Sequence, residues 1–160
     1  MNETSLPADR SPLYLDDFQL GQQFTSGTFA LDEAQVIAFA RQFDPQPFHL
    51  DREAAKATFF GSLVASGWHT AAITMRLLVE YGLPVAGGIV GAGGEISWPR
   101  PTQPNSTLHV VSEVVEIKTL RSRSDRGIVT VRCETRNQDG EVVQLLTTRL
   151  VVPRRAQALG

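Results

Sequence analysis

A carboxylate and an imidazole stand five residues apart in Asp44-Pro45-Gln46-Pro47-Phe48-His49-Leu50-Asp51. The two prolines fix φ at their own positions and remove two backbone donors. The segment is therefore stiff, and two side chains on it can converge on one water without ordering a loop at every turnover. Such a pair is suited to general acid and base chemistry on a carbonyl compound. Further on, Ala65-Ser66-Gly67-Trp68-His69 places a serine suited to capping a helix directly before a glycine. A helix N-terminus presents free N–H groups and a partial positive charge, and glycine lets a ligand come close to the backbone. The candidate catalytic residues are thus Asp44 and His49, with Gly67 and Ser66 as the candidate oxyanion and substrate-binding residues. Ser66 reads first of all as an N-cap. Asp51 reads as the N-cap of the following short helix.

The elements that must hold these residues follow from the pattern around them. Residues up to about Pro12 are polar and proline-bearing and read as a loose arm. A strand is expected from about Phe24 to Ala30. Asp32 then caps a helix whose apolar face carries Ile37, Ala38 and Phe39, and Pro45 and Pro47 stop it. Asp51–Ala57 supports a short helix, and Phe59-Phe60-Gly61 a turn. The longest helix is expected from Gly67 to about Tyr81, apolar over much of its circumference and therefore buried, with Gly82 and Pro84 ending it. Beyond Pro84 the composition turns to Val, Ile and Thr. Strands are expected over Ile89–Trp98, Leu108–Thr119, Gly127–Asn137 and Val142–Pro153, with period two evident at Val129, Val131 and Cys133. Asp139-Gly140 marks a hairpin.

An antiparallel sheet wrapped around one long apolar helix is an α+β hotdog arrangement. The expected division is a flexible N-terminal arm over 1–14, one hotdog domain over 15–153 and a C-terminal tail over 154–160. One such unit leaves sheet edges open, so a homodimer, or a higher homo-oligomer, that extends the sheet across two subunits is expected. The site would then be bounded by both subunits, with Trp98 and Pro99–Pro104 near the boundary.

Composition narrows the classes further. A length of 160 residues fits one domain, and a net charge of −2 argues against a general nucleic-acid binder. The single Cys133 excludes an internal disulfide and a cysteine-based metal cluster, and reads as a buried small hydrophobe. Three scattered histidines make no recognisable zinc site, so no metal is expected. No apolar run reaches the length of a membrane span and no signal peptide is evident, so a cytoplasmic location without membrane partners is expected.

Hydration of a double bond conjugated to a thioester needs a water aimed at the β carbon, a proton for the α carbon, and a donor for the thioester oxygen. Asp44 and His49 can supply the first two and the Gly67 N–H the third, a preorganised donor of this type contributing about 3–4 kcal/mol. The motif resembles that of the MaoC-like (R)-specific enoyl-CoA hydratases and acyl dehydratases, Asp-x-Asn-Pro-x-His-x-Asp, at Asp44, Pro47, His49 and Asp51. Ala65–Thr70 is similar to the small-Gly helix start of that family. Trp98–Leu108 resembles its aromatic-x-x-Pro-Val-x-x-Gly-Asp-x-Leu block. The similarity spans about Leu15 to Val152. Gln46 replaces the usual asparagine, and Asn105-Ser106 replaces Gly-Asp.

The resemblance implies a hydro-lyase that interconverts a trans-2-enoyl-CoA and its (R)-3-hydroxyacyl-CoA. No cofactor is implied beyond the coenzyme A or acyl carrier thioester that is part of the substrate. It also implies Asp44 and His49 as the water-holding pair and Gly67 as the amide on the thioester oxygen. A hotdog acyl-CoA thioesterase is the first alternative. Many of those place Asp and His four residues apart or carry a carboxylate on the long helix, whereas here only Glu80 lies on it, at the far end. A non-catalytic acyl-CoA-binding module is the second. His69 and His109 read as packed histidines, and Trp68 and Trp98 as core or dimer contacts. Glu95 reads as a partner of Arg100 or Arg76, or as a site residue. Arg121, Arg123 and Arg126 read as a solvated hairpin tip in preference to a coenzyme A phosphate site.

Overall fold

The computed structural model describes residues 11–156. Most of the expected arm lies outside them. What is described of it is docked: Leu13 bridges Val85 and exchanges backbone hydrogen bonds with Pro84 and Ala86. Five antiparallel strands form one sheet, β1 (Gln23–Leu31), β2 (Gly91–Ser97), β3 (Ser106–Leu120), β4 (Arg123–Arg136) and β5 (Val142–Pro153), in the order β1-β3-β4-β5-β2. Between β1 and β2 run α1 (Glu33–Phe43), α2 (Pro47–Leu50), α3 (Arg52–Ala55) and α4 (Gly67–Leu77), the last continued by a wider turn over Leu78–Gly82. This is the expected α+β hotdog arrangement.

The inner face of the sheet follows the period-two pattern of its strands. Leu108, Val110, Ser112 and Val114 on β3 and Val129, Val131, Cys133 and Thr135 on β4 are buried. Cys133 sits in this core, where burial pushes its thiol pKa up, as expected of an inert structural cysteine. In β1 the register breaks between Thr25 and Thr28, and the Ser26 hydroxyl accepts from the Val110 N–H at 2.8 Å in place of a ladder carbonyl. The Asp139-Gly140 turn joins β4 to β5 with Gly140 at φ 77°. Asn105 has φ 66°. It stands where the related motif has glycine, and asparagine is among the few side chains that tolerate this region.

α4 lies across the sheet. Thr70, Ile73, Thr74 and Leu77 are buried, at the i, i+3, i+4, i+7 spacing of one face. The other face departs from the expectation of all-round burial. Trp68, Met75 and Val79 remain exposed, at 60%, 42% and 62%, and form an apolar stripe. The helix is apolar all round because one side packs on its own sheet and the other stands free in the single chain.

Sequence pattern also missed α2. Pro45 and Pro47 do lie beyond the end of α1, and Pro47 also occupies the first turn of α2, where its missing N–H costs nothing. The caps at Asp32 and Asp51 are as expected: Asp32 Oδ1 accepts from Gln35 N at 2.8 Å and Asp51 Oδ1 from Ala54 N at 2.8 Å.

Candidate active site

Asp44 terminates α1 and His49 lies on the single turn of α2, so the helix-stopping prolines bring the two side chains to face each other. His49 Nε2 stands 3.3 Å from Asp44 Oδ2. His49 Nδ1 is 2.6 Å from the Val64 carbonyl oxygen. A carbonyl only accepts, so Nδ1 carries a proton and Nε2 is left facing Asp44. Two bare acceptors would repel at that distance. The Asp44–His49 pair is thus arranged to share a proton along this line.

The carboxylate is held on both oxygens. Ser66 Oγ donates to Asp44 Oδ2 at 2.7 Å, and Gln46 Nε2 donates to Oδ1 at 2.7 Å. Burial pushes the Asp44 pKa up, but the bonds from Ser66 and Gln46 and the charge of His49 together outweigh it. The carboxyl stays below its ordinary value of 3.8. Gln46, the departure from the related motif, thus supplies a hydrogen bond to the carboxylate itself.

Ser66 is fully buried and is the N-cap of α4, its Oγ accepting from Trp68 N at 3.2 Å. Its hydroxyl hydrogen is committed to Asp44, so it reaches the chemistry through that carboxylate and has no proton left for a ligand. The Gly67 N–H opens the helix and donates to no acceptor among the described residues. Asp44, His49 and Gly67 all line one cavity of about 400 Å³. Its other walls are largely aromatic and apolar, among them Phe60, Val64, Trp68 and Trp98.

Of the two expected places for Trp98, core or dimer contact, the core is excluded by its 39% exposure. Trp98 borders the cavity and lies flat against Gly67: a Cβ built there would meet ring atoms of Trp98 at 2.6–2.9 Å. Phe59 and Phe60, read from sequence only as a turn, also line the cavity, and Phe59 is 95% exposed. The signal was present in the aromatic doublet itself, since two phenylalanines in an exposed turn require a reason.

The remaining candidates lie elsewhere. His69 is buried and stacked on Phe39, ring centroids 4.4 Å apart, with Nδ1 unpartnered, and burial pushes its pKa down. His109 is half-buried on β3, and burial, then the charge of Arg136, lowers its pKa. Glu95 is exposed on β2, while Arg100 pairs with Glu141 and Arg76 with Glu80, so neither expected partner meets it. Arg123 and Arg126 bracket Asp125 at the start of β4 and hold its pKa at about 2. That tip is about 30 Å along the strand from Thr135, the end of β4 nearest α4. Among the described residues no group of three or more His, Cys, Asp or Glu stands together as a metal site would require. No described helix is long and apolar enough to cross a membrane.

Comparison with known proteins places this arrangement. Residues 17–137 match the family model described as MaoC like domain. The fold superposes on the crystal structure of a MaoC-like dehydratase from Rhodospirillum rubrum with a TM-score of 0.89 and 56% identity, covering 90% of this chain and 99% of that one. The (R)-hydratase PhaJ1 from Pseudomonas aeruginosa is 25% identical, with a TM-score of 0.71 and coverage of 90% and 88%. The uncharacterized protein YdeM of Bacillus subtilis is 34% identical over 127 residues, which cover 78% of this chain and 87% of YdeM. The chain belongs to the MaoC-like dehydratase family, and a general dehydratase or hydratase role goes with that membership.

Proposed function

We propose that the protein interconverts a trans-2-enoyl thioester of coenzyme A and the corresponding (R)-3-hydroxyacyl thioester, with Asp44 and His49 as the acid–base pair. The observation that carries this reading is the convergence of Asp44, His49 and the open Gly67 amide on one largely apolar cavity. In hydration, Asp44 takes a proton from water as its oxygen bonds to the β carbon. His49 Nε2 gives a proton to the α carbon. The π electrons of the double bond move into the thioester as enolate character and return to form the new C–H bond. The Gly67 N–H, at the positive end of α4, holds the thioester oxygen while that charge is present. Passage of the proton from Asp44 to His49 across the 3.3 Å gap resets the pair. Both groups act from one side of the cavity, so water adds to a single face of the double bond.

The exposed stripe on α4 begins at Trp68, which also lines the cavity. A second copy seated on that stripe, with the exposed β2 edge paired across subunits, would complete the cavity wall. This supports a homodimer as the working form. No cofactor beyond the thioester carrier enters the scheme.

The test is loss of enoyl-thioester absorbance with crotonyl-, hexenoyl- and octenoyl-CoA, with free thiol followed in parallel. Loss of absorbance without thiol supports the reading. Thiol release would replace it with a thioesterase, and binding without either change with an acyl-CoA-binding module.

A further inference from the structure

Gln144, on β5, has no exposed surface, and faces the buried Thr135 across the sheet and the buried Thr74 on α4. A buried amide is costly unless all its polar atoms are paired, and here they are paired in a set order. Trp98 Nε1 donates to Gln144 Oε1 at 3.0 Å, and Gln144 Nε2 donates to Thr74 Oγ1 at 3.0 Å. Thr74 in turn meets Thr135 Oγ1 at 2.6 Å and donates to the Thr70 carbonyl at 2.8 Å. An indole N–H only donates, so the amide has one usable orientation: oxygen to the indole, nitrogen to the helix. The chain of bonds ties the Trp98 ring to α4 and β4 at fixed distance. The tied ring lies on the Gly67 α-carbon, beside the N–H that opens into the cavity, with Trp68 edge-on at 5.3 Å.

We propose that Trp98 is a specificity-determining wall of the cavity and that Gln144 is its positioning residue. The indole limits the space beside the Gly67 amide, so that unbranched enoyl thioesters are accepted and those carrying a methyl group at the α carbon are rejected. This rests on the proposed reading of the site, in which the thioester oxygen meets that amide. The ring is held from behind, by a buried amide, and so cannot swing aside for a bulkier acyl group without leaving the buried Gln144 Oε1 without its donor.

The experiment compares kcat/KM for crotonyl-CoA and 2-methylcrotonyl-CoA in the wild type, Trp98→Leu, Gln144→Leu and the double variant. The expected result is a preference for crotonyl-CoA that falls at least about tenfold in Trp98→Leu, the scale of one methyl group in a fitted pocket. Gln144→Leu moves the ratio the same way, and adds nothing once Trp98 is already leucine. An unchanged ratio in Trp98→Leu, or additive effects of the two substitutions, overturns the inference while leaving hydration intact. A second readout needs no turnover. The chain has two tryptophans, so Trp68→Phe leaves Trp98 as the sole emitter. Butyryl-CoA should quench it, and Gln144→Leu should shift its emission and raise its accessibility to acrylamide. Absence of both changes overturns the inference even if no enoyl thioester is hydrated, an outcome that would overturn the proposed reaction instead.

Discussion

Replacing Ser66 with alanine separates the positioning of Asp44 from the chemistry proposed for it. Ser66 Oγ makes two bonds, one to Asp44 Oδ2 at 2.7 Å and one from Trp68 N at 3.2 Å. Loss of the second costs a helix cap, about 1 kcal/mol of stability. Loss of the first removes a hydrogen bond to a charged group, worth about 1.5–3 kcal/mol. The sign is fixed. Burial pushes the Asp44 pKa up, and the Ser66 bond is the larger of the two hydrogen bonds that oppose it. Without Ser66 the folded-state pKa therefore rises. The stability that Asp44 contributes is present above its unfolded value and is lost as pH falls through the lower folded value, so the variant loses that contribution at a higher pH. In the rate, the acid limb of kcat/KM, which belongs to the Asp44–His49 pair, should move to higher pH. The variant should lose activity progressively more than the wild type as pH falls into the acid range. The assay is enoyl-thioester absorbance from pH 4 to 9, with urea denaturation at pH 4.5 and pH 7. Ser66→Thr, which keeps the hydroxyl, should restore the limb. An acid limb superimposable on the wild type in a folded Ser66→Ala protein would refute the reasoning.

Other outcomes follow from the same geometry. Asp44→Asn and His49→Ala should each lower kcat by at least about 100-fold, the lower range of general acid–base contributions, and near-normal turnover in steady-state assays of both would exclude them as the pair. Gly67→Ala should already displace the Trp98 ring, since a Cβ there lies 2.6 Å from it; altered tryptophan emission with turnover reduced at least about tenfold is expected, and wild-type behaviour in both would remove Gly67 from the site. Val79→Lys or Met75→Lys, on the exposed face of α4 and its continuation, should convert the proposed homodimer to monomer by light scattering at micromolar concentration and weaken substrate binding, whereas a wild-type protein that is already an active monomer would refute the dimer.

The parts of this molecule that sequence revealed are those encoded by neighbours. The period-two strands, the Asp32 and Asp51 caps, the Asp139-Gly140 turn and the Ser66 cap all rest on residues a few positions apart. Asp44 and His49 were legible for the same reason: proline-fixed spacing brings them together locally. What stayed hidden depends on contacts made across the fold. The Ser66 hydroxyl meets Asp44 22 residues away, and the Trp98 indole meets Gln144 46 residues away. Nothing at either end announces its partner. The burial of α4 was misjudged on one side because an apolar residue left exposed on a helix reads the same in sequence as one packed on a sheet. The one-turn helix at Pro47 was overlooked because a proline that ends one helix can equally begin the next.

The deeper order of the site lies in a stretch of four residues. The Val64 carbonyl fixes the proton on His49 Nδ1, Ser66 Oγ holds Asp44, and the Gly67 N–H is the open donor. The groups that the proposed scheme uses as base, acid and oxyanion donor therefore all take their positions from Val64–Gly67, although Asp44 and His49 belong to the end of α1 and to α2. That stretch is itself pinned from two directions, Val64 N donating to the Phe48 carbonyl and Ala65 N to the Thr102 carbonyl, each at 2.9 Å. Consecutive backbone units cannot change their spacing, so a small shift of the stretch carries acid, base and donor together and leaves their mutual distances intact. Groups that must act within one reaction are best held by one rigid segment, because misplacement by about 1 Å can cost a factor of a hundred in rate. The prolines at 45 and 47 complete the arrangement from the other side: they keep Asp44 and His49 presented to this segment without relying on a flexible loop to find it.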